Sequence, residues 1–549
     1  MLAFAVFGLY AKSITFDWQY LDDDVLILEK QDYLKLSNIK TMFTDTFFGV
    51  PGDTGYRPLL NVSFAIDRTI SGLNPVSYHI SNILIFLFAV FSIYLLFSYK
   101  NDKTWSFFFS LIIAVNPLLC AVVCRPVDRS DSLLTLFVVL SFYFLIKYLD
   151  CQQKCTINNK KTMSSFVQPF NFLTKQKTLF FSLHTLFFVL ALFTKETAIL
   201  APLLYIMFIF FSRSCSSVIP EGRCRESRSL SLPFIAVSSF IVHCTSYIVH
   251  CLSQLFNCRR SRCHSERSEE SRRSPFKLFN SSTLQLFNCR CCTLYIIHYT
   301  LYIIIYFSLR HIAVGSYSSS GTIVLALSSI LNNSVSLIKY FYNLIFPITD
   351  KLSFSQDIFL FVLTLLIFMF IFVKAKYKNI TLLLFAFFAF VLFLVPTMLM
   401  SNHMYSYFQN RIFLSMVCAY YVLLNCLQKY KTNTNKIIIF WLIFVIVIYT
   451  SSTFFRMNRY QNRWTAFTGE LIDTPDSPYI NAKFGMLLAD VGMYEQAEER
   501  LNTAISLEPY NYMHYENLAL VYYRAGDIDK AKSLVDYAQE LKASLIDYR

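Results

Sequence analysis

Three adjacent carboxylates near the start of the chain are the first candidates for chemistry. Asp22, Asp23 and Asp24 follow a short apolar run. Because neighbouring carboxylates repel one another, at least one should have a raised pKa unless a cation or a metal lies nearby. Such a group can act as a general base and take a proton from an attacking hydroxyl. The alternative is a solvated acidic loop without chemistry.

The stretch around the triplet carries further polar groups. It forms a loop of about 65 residues (15–79) between the first two apolar runs, which is large for a mere connector. Aromatic and charged side chains are mixed along it. The polar residues after the triplet include Arg57, Asp67, Arg68, Tyr78, His79 and Asn82.

The elements that hold these groups are those of a membrane protein. Of the 549 residues, 55% are hydrophobic and 17% aromatic, more than a soluble domain needs. Many apolar runs approach the roughly 20 residues that cross a bilayer. The first run has no basic flank or cleavage site, so it predicts a short transmembrane helix instead of a signal peptide. We predict an all-α, polytopic domain of about eleven helices at 2–10, 83–99, 105–119, 133–148, 180–193, 198–211, 293–308, 358–373, 380–400, 412–427 and 437–450.

Lysines mark the orientation of these helices. They fall in alternate loops, which the positive-inside rule assigns to the cytoplasm. The outer segments are then the acidic triplet, the 120–131 loop, the 194–196 turn, the 310–356 stretch, the 401–411 loop and everything after residue 451. The cytoplasmic loops are marked by Lys100, Lys103, Lys154, Lys160, Lys161, Lys175, Lys177, Lys374, Lys376, Lys378, Lys429, Lys431 and Lys436.

A basic, cysteine-rich stretch at 212–292 interrupts the pattern. It holds nine of the fifteen cysteines, and the hexamer QLFNCR at 254–259 recurs at 285–290. No regular cysteine pairs with a fixed spacing can be drawn, so we assign no metal ligands. The stretch is typical of a low-complexity insertion. It also accounts for part of the net charge of +14, which therefore favours lipid headgroups over nucleic acid as partners.

The C-terminal tail is an internal repeat. Gly485 and Ala519, Gly492 and Gly526, and Ala497 and Ala531 are each 34 residues apart, the tetratricopeptide period. We predict two such repeats at 478–549, after a linker or capping helix at 451–477, with the membrane domain divided into 1–211 and 293–450. An ordinary helical hairpin is the alternative. Repeats of this kind present a surface to a protein or peptide.

These residues together resemble a known family. The stretch 16–96 is similar to the polytopic, tetratricopeptide-tailed glycosyltransferases of the C superfamily, which include O-mannosyltransferases and bacterial relatives. The similarity rests on DDDVLI at 22–27, YRPL at 56–59, GLNP at 72–75 and the Tyr78-His79 pair, and it continues through Asn116-Pro117 and Lys195-Glu196. Relatives commonly carry a His-Pro-x-His-x-Glu pattern, where this chain has Asn116, Leu119 and Ala121.

The resemblance implies that a sugar is transferred, with inversion, from a polyprenyl-phosphate carrier to a protein or glycan acceptor on the outer face. One of Asp22, Asp23 and Asp24 would be the base, and a divalent metal is left open. The insertion favours a bacterial cytoplasmic membrane over the endoplasmic reticulum. Groups that would hold the substrate and its lipid phosphate are Arg57, His79, Arg129, Asp131, Lys195, Glu196, Arg310 and Arg411.

Other interpretations stay open. Each cation could simply reach towards the membrane interface, and Lys195 with Glu196 could be an ion pair at a tight turn. A catalytically weak or inactive scaffold would keep the membrane helices and recruit partners through the repeats. A transporter is disfavoured, because charged residues cluster at helix ends and not at mid-membrane.

Overall fold

The structure is a computed structural model of the whole chain. It describes all residues except 20–21, 31, 48–54, 162–167, 217–289, 315–332, 348–353, 375–379, 399–410, 429–433 and 548–549. Most of the predicted insertion at 212–292 and most of the predicted outer loop at 401–411 therefore lie outside the described residues.

The predicted all-α class is confirmed, since the described residues form helices and turns and no strand. The helices are α1 Leu2–Tyr10, α2 Ile39–Met42, α3 Pro58–Ser71, α4 Pro75–Ser98, α5 Lys103–Ala114, α6 Cys120–Cys124, α7 Arg129–Lys161, α8 Gln168–Leu192, α9 Ala201–Ser216, α10 Arg290–Val314, α11 Ser334–Tyr342, α12 Phe354–Lys374, α13 Ile380–Leu392, α14 Val395–Met398, α15 Ile412–Leu427, α16 Thr434–Met457, α17 Arg463–Asp473, α18 Pro478–Asp490, α19 Tyr494–Leu507, α20 Tyr512–Ala525 and α21 Ile528–Asp547.

Helix α4 shows why these segments are membrane helices. The Asn74 side chain accepts a hydrogen bond from the Val76 backbone N–H and Pro75 fixes the first turn, so the helix has a defined start. Its 24 residues extend about 36 Å, enough to cross a bilayer. Within the described residues, four helical segments are long and apolar enough to span a membrane: Pro75–Ser98, Pro126–Gln153, Leu294–Val314 and Ile437–Tyr460. The count of about eleven stays a prediction.

The run at 105–119, predicted as one span, is a bent pair. Helix α5 ends at Ala114, and the segment beginning at Pro117 continues at 52° to it. Proline lacks a backbone N–H and cannot continue the helix. The Asn116 side chain caps the next turn through the Leu118 N–H, and Thr453 Oγ1 donates to the Val115 carbonyl at 2.7 Å. These bonds satisfy backbone groups that the break releases. Counted as one span, the pair raises the number to five.

The chain divides into two compact units. The first comprises Met1–Ala198, Tyr306–Lys378 and Ala386–Arg549, and it contains the acidic loop and the tail. The second comprises Ile199–Ile305 and Asn379–Phe385. Aromatic pairs lie inside the second unit, with ring centroids 5.8 Å apart for Tyr205 and Tyr299.

The tail forms two helical hairpins, α18–α19 and α20–α21. Gly485 is the point of close approach in the first hairpin, because a Cβ there would lie 2.9 Å from Leu501 Cγ. Gly492 and Gly526, 34 residues apart, both have positive φ, as the turns require. Ala466 and Phe467 of α17 share the buried apolar cluster of the hairpins. The hairpins agree with the predicted period, while the tetratricopeptide class and the domain boundaries stay predictions.

Candidate functional site

The acidic loop is tied to two distant parts of the first unit. The Gln19 side chain donates from Nε2 to the carbonyls of Cys124 and Tyr460, each at 2.9 Å. The Asp17 backbone N–H donates to the Gln461 carbonyl at 2.9 Å. The chain segment just before the triplet is thus fixed between the end of α6 and the segment that leads into the tail.

The three carboxylates of the triplet have different surroundings. Asp22 Oδ1 accepts a hydrogen bond from the Tyr479 hydroxyl at 3.1 Å, and Asp24 Oδ2 lies 3.1 Å from Lys483 Nζ. Asp23 is buried, and its Oδ2 accepts from the Gln19 backbone N–H at 3.0 Å. Its Oδ1 has no hydrogen-bond partner among the described residues. Asp24 Oδ1 likewise has no partner among the described residues, so Asp23 differs from its two neighbours by bonding to the Gln19 backbone and to no described side chain of the tail.

The backbone of the triplet is strained. Asp22 has a φ of 106°, the one positive φ recorded for a described residue other than glycine, and a π-helical turn follows at Asp24–Leu28. Such conformations persist where the surroundings enforce them. This turn directs Asp23 into the protein while its two neighbours face the tail.

Burial raises the pKa of Asp23 to about 7, although the Gln19 backbone N–H and Arg125 favour its charged form. Burial also raises the pKa of Asp22, against the charge of Arg125 and the Tyr479 hydrogen bond. A carboxylate with a pKa of about 7 is partly ionised at neutral pH and is basic enough to accept a proton. The raised pKa expected for the triplet is present, with burial as its main cause.

Arg125 is a cation at this site that the sequence did not single out. Its Nε lies 3.4 Å from Asp128 Oδ2, and its Nη1 lies 3.9 Å from Glu470 Oε1. The nearby carboxylates outweigh burial and raise the pKa of the Arg125 guanidinium, so it is always charged. Its position directly before Pro126, in the predicted outer loop at 120–131, was the available signal.

A second group of charges lies around Arg57. Arg57 Nε donates to both carboxylate oxygens of Glu196, at 3.0 and 3.3 Å, and the guanidinium lies over the Phe47 ring. The Tyr56 backbone N–H donates to the same carboxylate at 3.0 Å. Nη1 and Nη2 of Arg57 donate to none of the described residues, and the side chain is 23% exposed. These two nitrogens can bind an anion.

Lys195 belongs to this second group. It is buried and forms an ion pair with Asp131, whereas Glu196 pairs with Arg57. The alternative of a Lys195–Glu196 pair is therefore wrong, since each residue has a different partner. Burial, and then the charges of Arg411 and Arg57, lower the pKa of Lys195 to about 8. The structure thus brings together Arg57, Asp131, Lys195, Glu196 and Arg411.

Arg310 and Tyr306 lie at the edge of the same group. The Tyr306 ring packs against Tyr56 with centroids 5.7 Å apart, and its buried hydroxyl has no partner among the described residues. Glu196, Arg310 and Arg57 act electrostatically on that hydroxyl. Sequence reasoning missed Tyr306 because a tyrosine in an apolar run carries no distinguishing signal.

Arg129 and His79 are fully buried. Arg129 contacts Asp67 Oδ2 at 2.6 Å, Asn82 Oδ1 at 2.7 Å and the Tyr78 carbonyl at 2.9 Å. His79 packs edge-on against Phe16. These contacts favour a role in holding α3, α4 and α7 together, and the predicted contact of either residue with substrate stays a prediction.

The described residues include no group of three or more His, Cys, Asp or Glu side chains arranged to hold a metal ion.

Part of the chain is similar to protein O-mannosyl-transferases. The protein O-mannosyl-transferase TMTC2 of Homo sapiens is 34% identical over 151 residues, which are 26% of this chain and 18% of that protein. TMTC3 of Homo sapiens is 32% identical over 128 residues, 22% of this chain and 14% of the relative. TMTC1 of Homo sapiens is 29% identical over 120 residues, 20% and 13% of the two chains. The predicted resemblance is confirmed.

The similarity to these O-mannosyl-transferases is partial. The matched stretch covers less than a fifth of each relative. No family model matches the chain, and no solved structure matches it significantly.

Proposed function

We propose that this chain is a membrane glycosyltransferase that moves a sugar, of the mannose or related hexose class, from a polyprenyl-phosphate carrier to a protein or glycan acceptor. Its similarity to three protein O-mannosyl-transferases supports the reaction class. The acceptor and donor would meet on the non-cytoplasmic face. The positive-inside rule predicts the tail on the same face. A bacterial cytoplasmic membrane is the proposed location.

One observation carries this proposal. Asp23 is buried, has a pKa of about 7 and keeps Oδ1 without a partner among the described residues. In the proposed step, Asp23 takes the proton of an acceptor hydroxyl as that oxygen bonds to the anomeric carbon. The bond from this carbon to the phosphate oxygen breaks, and the electron pair leaves with the polyprenyl phosphate. Attack opposite the leaving group inverts the anomeric carbon.

The Arg57 group supports the departure of the phosphate. Negative charge grows on the leaving oxygen, and fixed cations lower the barrier when they are aimed at that charge. Nη1 and Nη2 of Arg57 can bind two phosphate oxygens, which is the geometry a guanidinium provides. Lys195 and Arg411 add positive charge beside it. Glu196 and Asp131 hold Arg57 and Lys195 in place.

Labelled transfer tests this function. The purified full chain is incubated with radiolabelled polyprenyl-phosphate sugars and membrane extract, and labelled acceptor is counted. Asp23→Asn should lower labelling at least about 100-fold, as expected for loss of a general base. Asp32→Asn is the matched control, because Asp32 lies in the same loop with a 97% exposed side chain. Equal labelling by Asp23→Asn and the unsubstituted chain would refute the assignment of the base.

A partner-recruiting scaffold is the second candidate. Apolar and aromatic side chains of α20 are exposed, with Met513 at 52% and Tyr523 at 63%. Exposed side chains of this kind can contribute to a protein-binding surface. The Asp23→Asn variant separates the two functions, because a scaffold should keep both its partners and the amount of glycosylated product, whereas the enzyme should keep its partners and lose the product.

A further inference from the structure

The first helix of the tail contacts the acidic loop directly. Tyr479 and Lys483 are four residues apart and therefore lie on one face of α18. The Tyr479 hydroxyl donates to Asp22 Oδ1 at 3.1 Å, and Lys483 Nζ lies 3.1 Å from Asp24 Oδ2. One helix face thus holds the residues on both sides of Asp23.

The linker before the tail reinforces this arrangement. Glu470 of α17 lies 3.9 Å from Arg125, whose charge acts on Asp22 and Asp23. Gln461 and Tyr460 accept hydrogen bonds from Asp17 and Gln19 just before the triplet. The loop is therefore held just before the triplet by residues at the end of the last membrane segment and the start of the linker to the tail.

The repeat pattern shows that these contacts are not needed to build a hairpin. At the period of 34, Tyr479 corresponds to Met513 and Lys483 to Asn517. The Met513 side chain cannot donate a hydrogen bond, and Asn517 carries no charge. The second hairpin forms without a tyrosine or a lysine at these places. The Tyr479 ring packs against the apolar cluster of the hairpins, whereas its hydroxyl and the Lys483 ammonium reach the acidic loop.

We propose that Tyr479 and Lys483 are positioning residues, which fix the strained Asp22 backbone and thereby aim Asp23 at the acceptor hydroxyl. This inference rests on the proposed function. The tail is then a part of the active site as well as a surface for partners. Because Tyr479 and Lys483 act on the base and not on the phosphate, their loss should lower kcat and leave the KM for the donor unchanged.

Two kinds of substitution test the positioning. Tyr479→Phe removes only the hydroxyl and should lower kcat about tenfold. Lys483→Glu puts a second negative charge beside Asp24 and should lower kcat further. Lys483→Glu combined with Asp24→Lys restores an ion pair and should recover kcat to within about threefold. Tyr510→Phe and Lys532→Met are matched controls at exposed positions of the tail and should leave kcat unchanged. Unchanged kcat in Tyr479→Phe and Lys483→Glu would overturn the inference.

A measurement without substrate separates this inference from the proposed function. Carbodiimide joins an amine to a carboxylate in direct contact, so it should link Lys483 to Asp24 in the full chain, as detected by mass spectrometry of the peptides. Absence of this cross-link overturns the positioning even if the chain transfers sugar. Absence of Asp23-dependent transfer refutes the proposed function even if the cross-link forms.

Discussion

Lys483 Nζ lies 3.1 Å from Asp24 Oδ2, although 459 residues separate them. The first tail hairpin is therefore in contact with the acidic loop of the membrane domain. An arm that only recruits an acceptor would not need this contact. The pairing makes the tail and the triplet one site, and it leaves Asp23 as the carboxylate that no side chain of the tail contacts in the described structure.

Asp23 should make stability depend on pH. Its pKa is about 7 in the folded chain against 3.8 for an ordinary aspartate. Between these values the folded state keeps a proton that the unfolded state has released, so stability falls as the pH rises from 4 to 7. Asp23→Asn cannot ionise and does not lose this stability. The stability of the variant relative to the original chain should therefore increase between pH 4 and pH 8, by on the order of 3 kcal/mol. Thermal unfolding in detergent at the two pH values measures this difference.

The control for this prediction is Asp32→Asn, since Asp32 is exposed and its carboxylate forms an ion pair with Lys35 at the surface. It should show nearly the same change between pH 4 and pH 8 as the original chain. If Asp23→Asn also follows the original chain, Asp23 is not buried in the folded state.

Arg57 should matter for the donor more than for the fold. Arg57→Gln removes the two nitrogens that face no described acceptor, and we expect kcat/KM for the polyprenyl-phosphate sugar to fall about 100-fold, within the range for loss of a transition-state contact. Arg57→Lys should recover little, because one ammonium cannot pair with Glu196 and bind two phosphate oxygens. Initial rates at varied donor concentration give the comparison. Lys40→Gln, an exposed cation of the same loop, should have no effect, and a similar loss in that variant would indicate a general charge effect.

Arg129 should matter for the fold. Its guanidinium and Asp67 are both buried and lie 2.6 Å apart. Removing one partner leaves a buried charge without compensation, so Asp67→Ala should lower the free energy of unfolding by about 3–5 kcal/mol. The double variant Asp67→Ala with Arg129→Met should recover part of this loss. Thermal unfolding of the three variants checks the order, and a double variant less stable than either single one would contradict it.

Gly485 should be intolerant of a side chain. A Cβ there would lie 2.9 Å from Leu501 Cγ and 3.1 Å from the Ala497 carbonyl, so Gly485→Ala should push α18 from α19 and cost about 1–3 kcal/mol. Limited proteolysis should then cut the tail faster. Gly8→Ala is the control, because a Cβ at Gly8 meets nothing within 4 Å. Equal protease resistance in both variants would show that the first hairpin is packed differently.

The helical class, the acidic triplet and the hairpins at a spacing of 34 were predictable because each depends on local composition or period. The break after Ala114 was also available, since Asn116-Pro117 disfavours a continuous helix. The prediction of one span at 105–119 was based on hydropathy and did not take account of this proline.

The partners of the charged residues could not be predicted in the same way. Lys195 and Glu196 are neighbours, yet one pairs with Asp131 and the other with Arg57, 64 and 139 residues away. Sequence proximity does not fix a side-chain partner when the backbone turns between two residues. Arg125 was missed for a related reason. The carboxylates that surround it, Asp128, Glu470 and Asp22, come together with it through the fold.

The most direct test of the central claim, that Asp23 is the base of sugar transfer, is the pH dependence of a single turnover. The purified chain is mixed in excess over radiolabelled polyprenyl-phosphate sugar with saturating acceptor, from pH 5 to 9. If Asp23 is the base, the rate should rise with pH to a plateau, with its midpoint near 7, in the original chain and in Asp32→Asn. Asp23→Asn should show no measurable transfer. Transfer by Asp23→Asn at the original rate and with the same midpoint would contradict it.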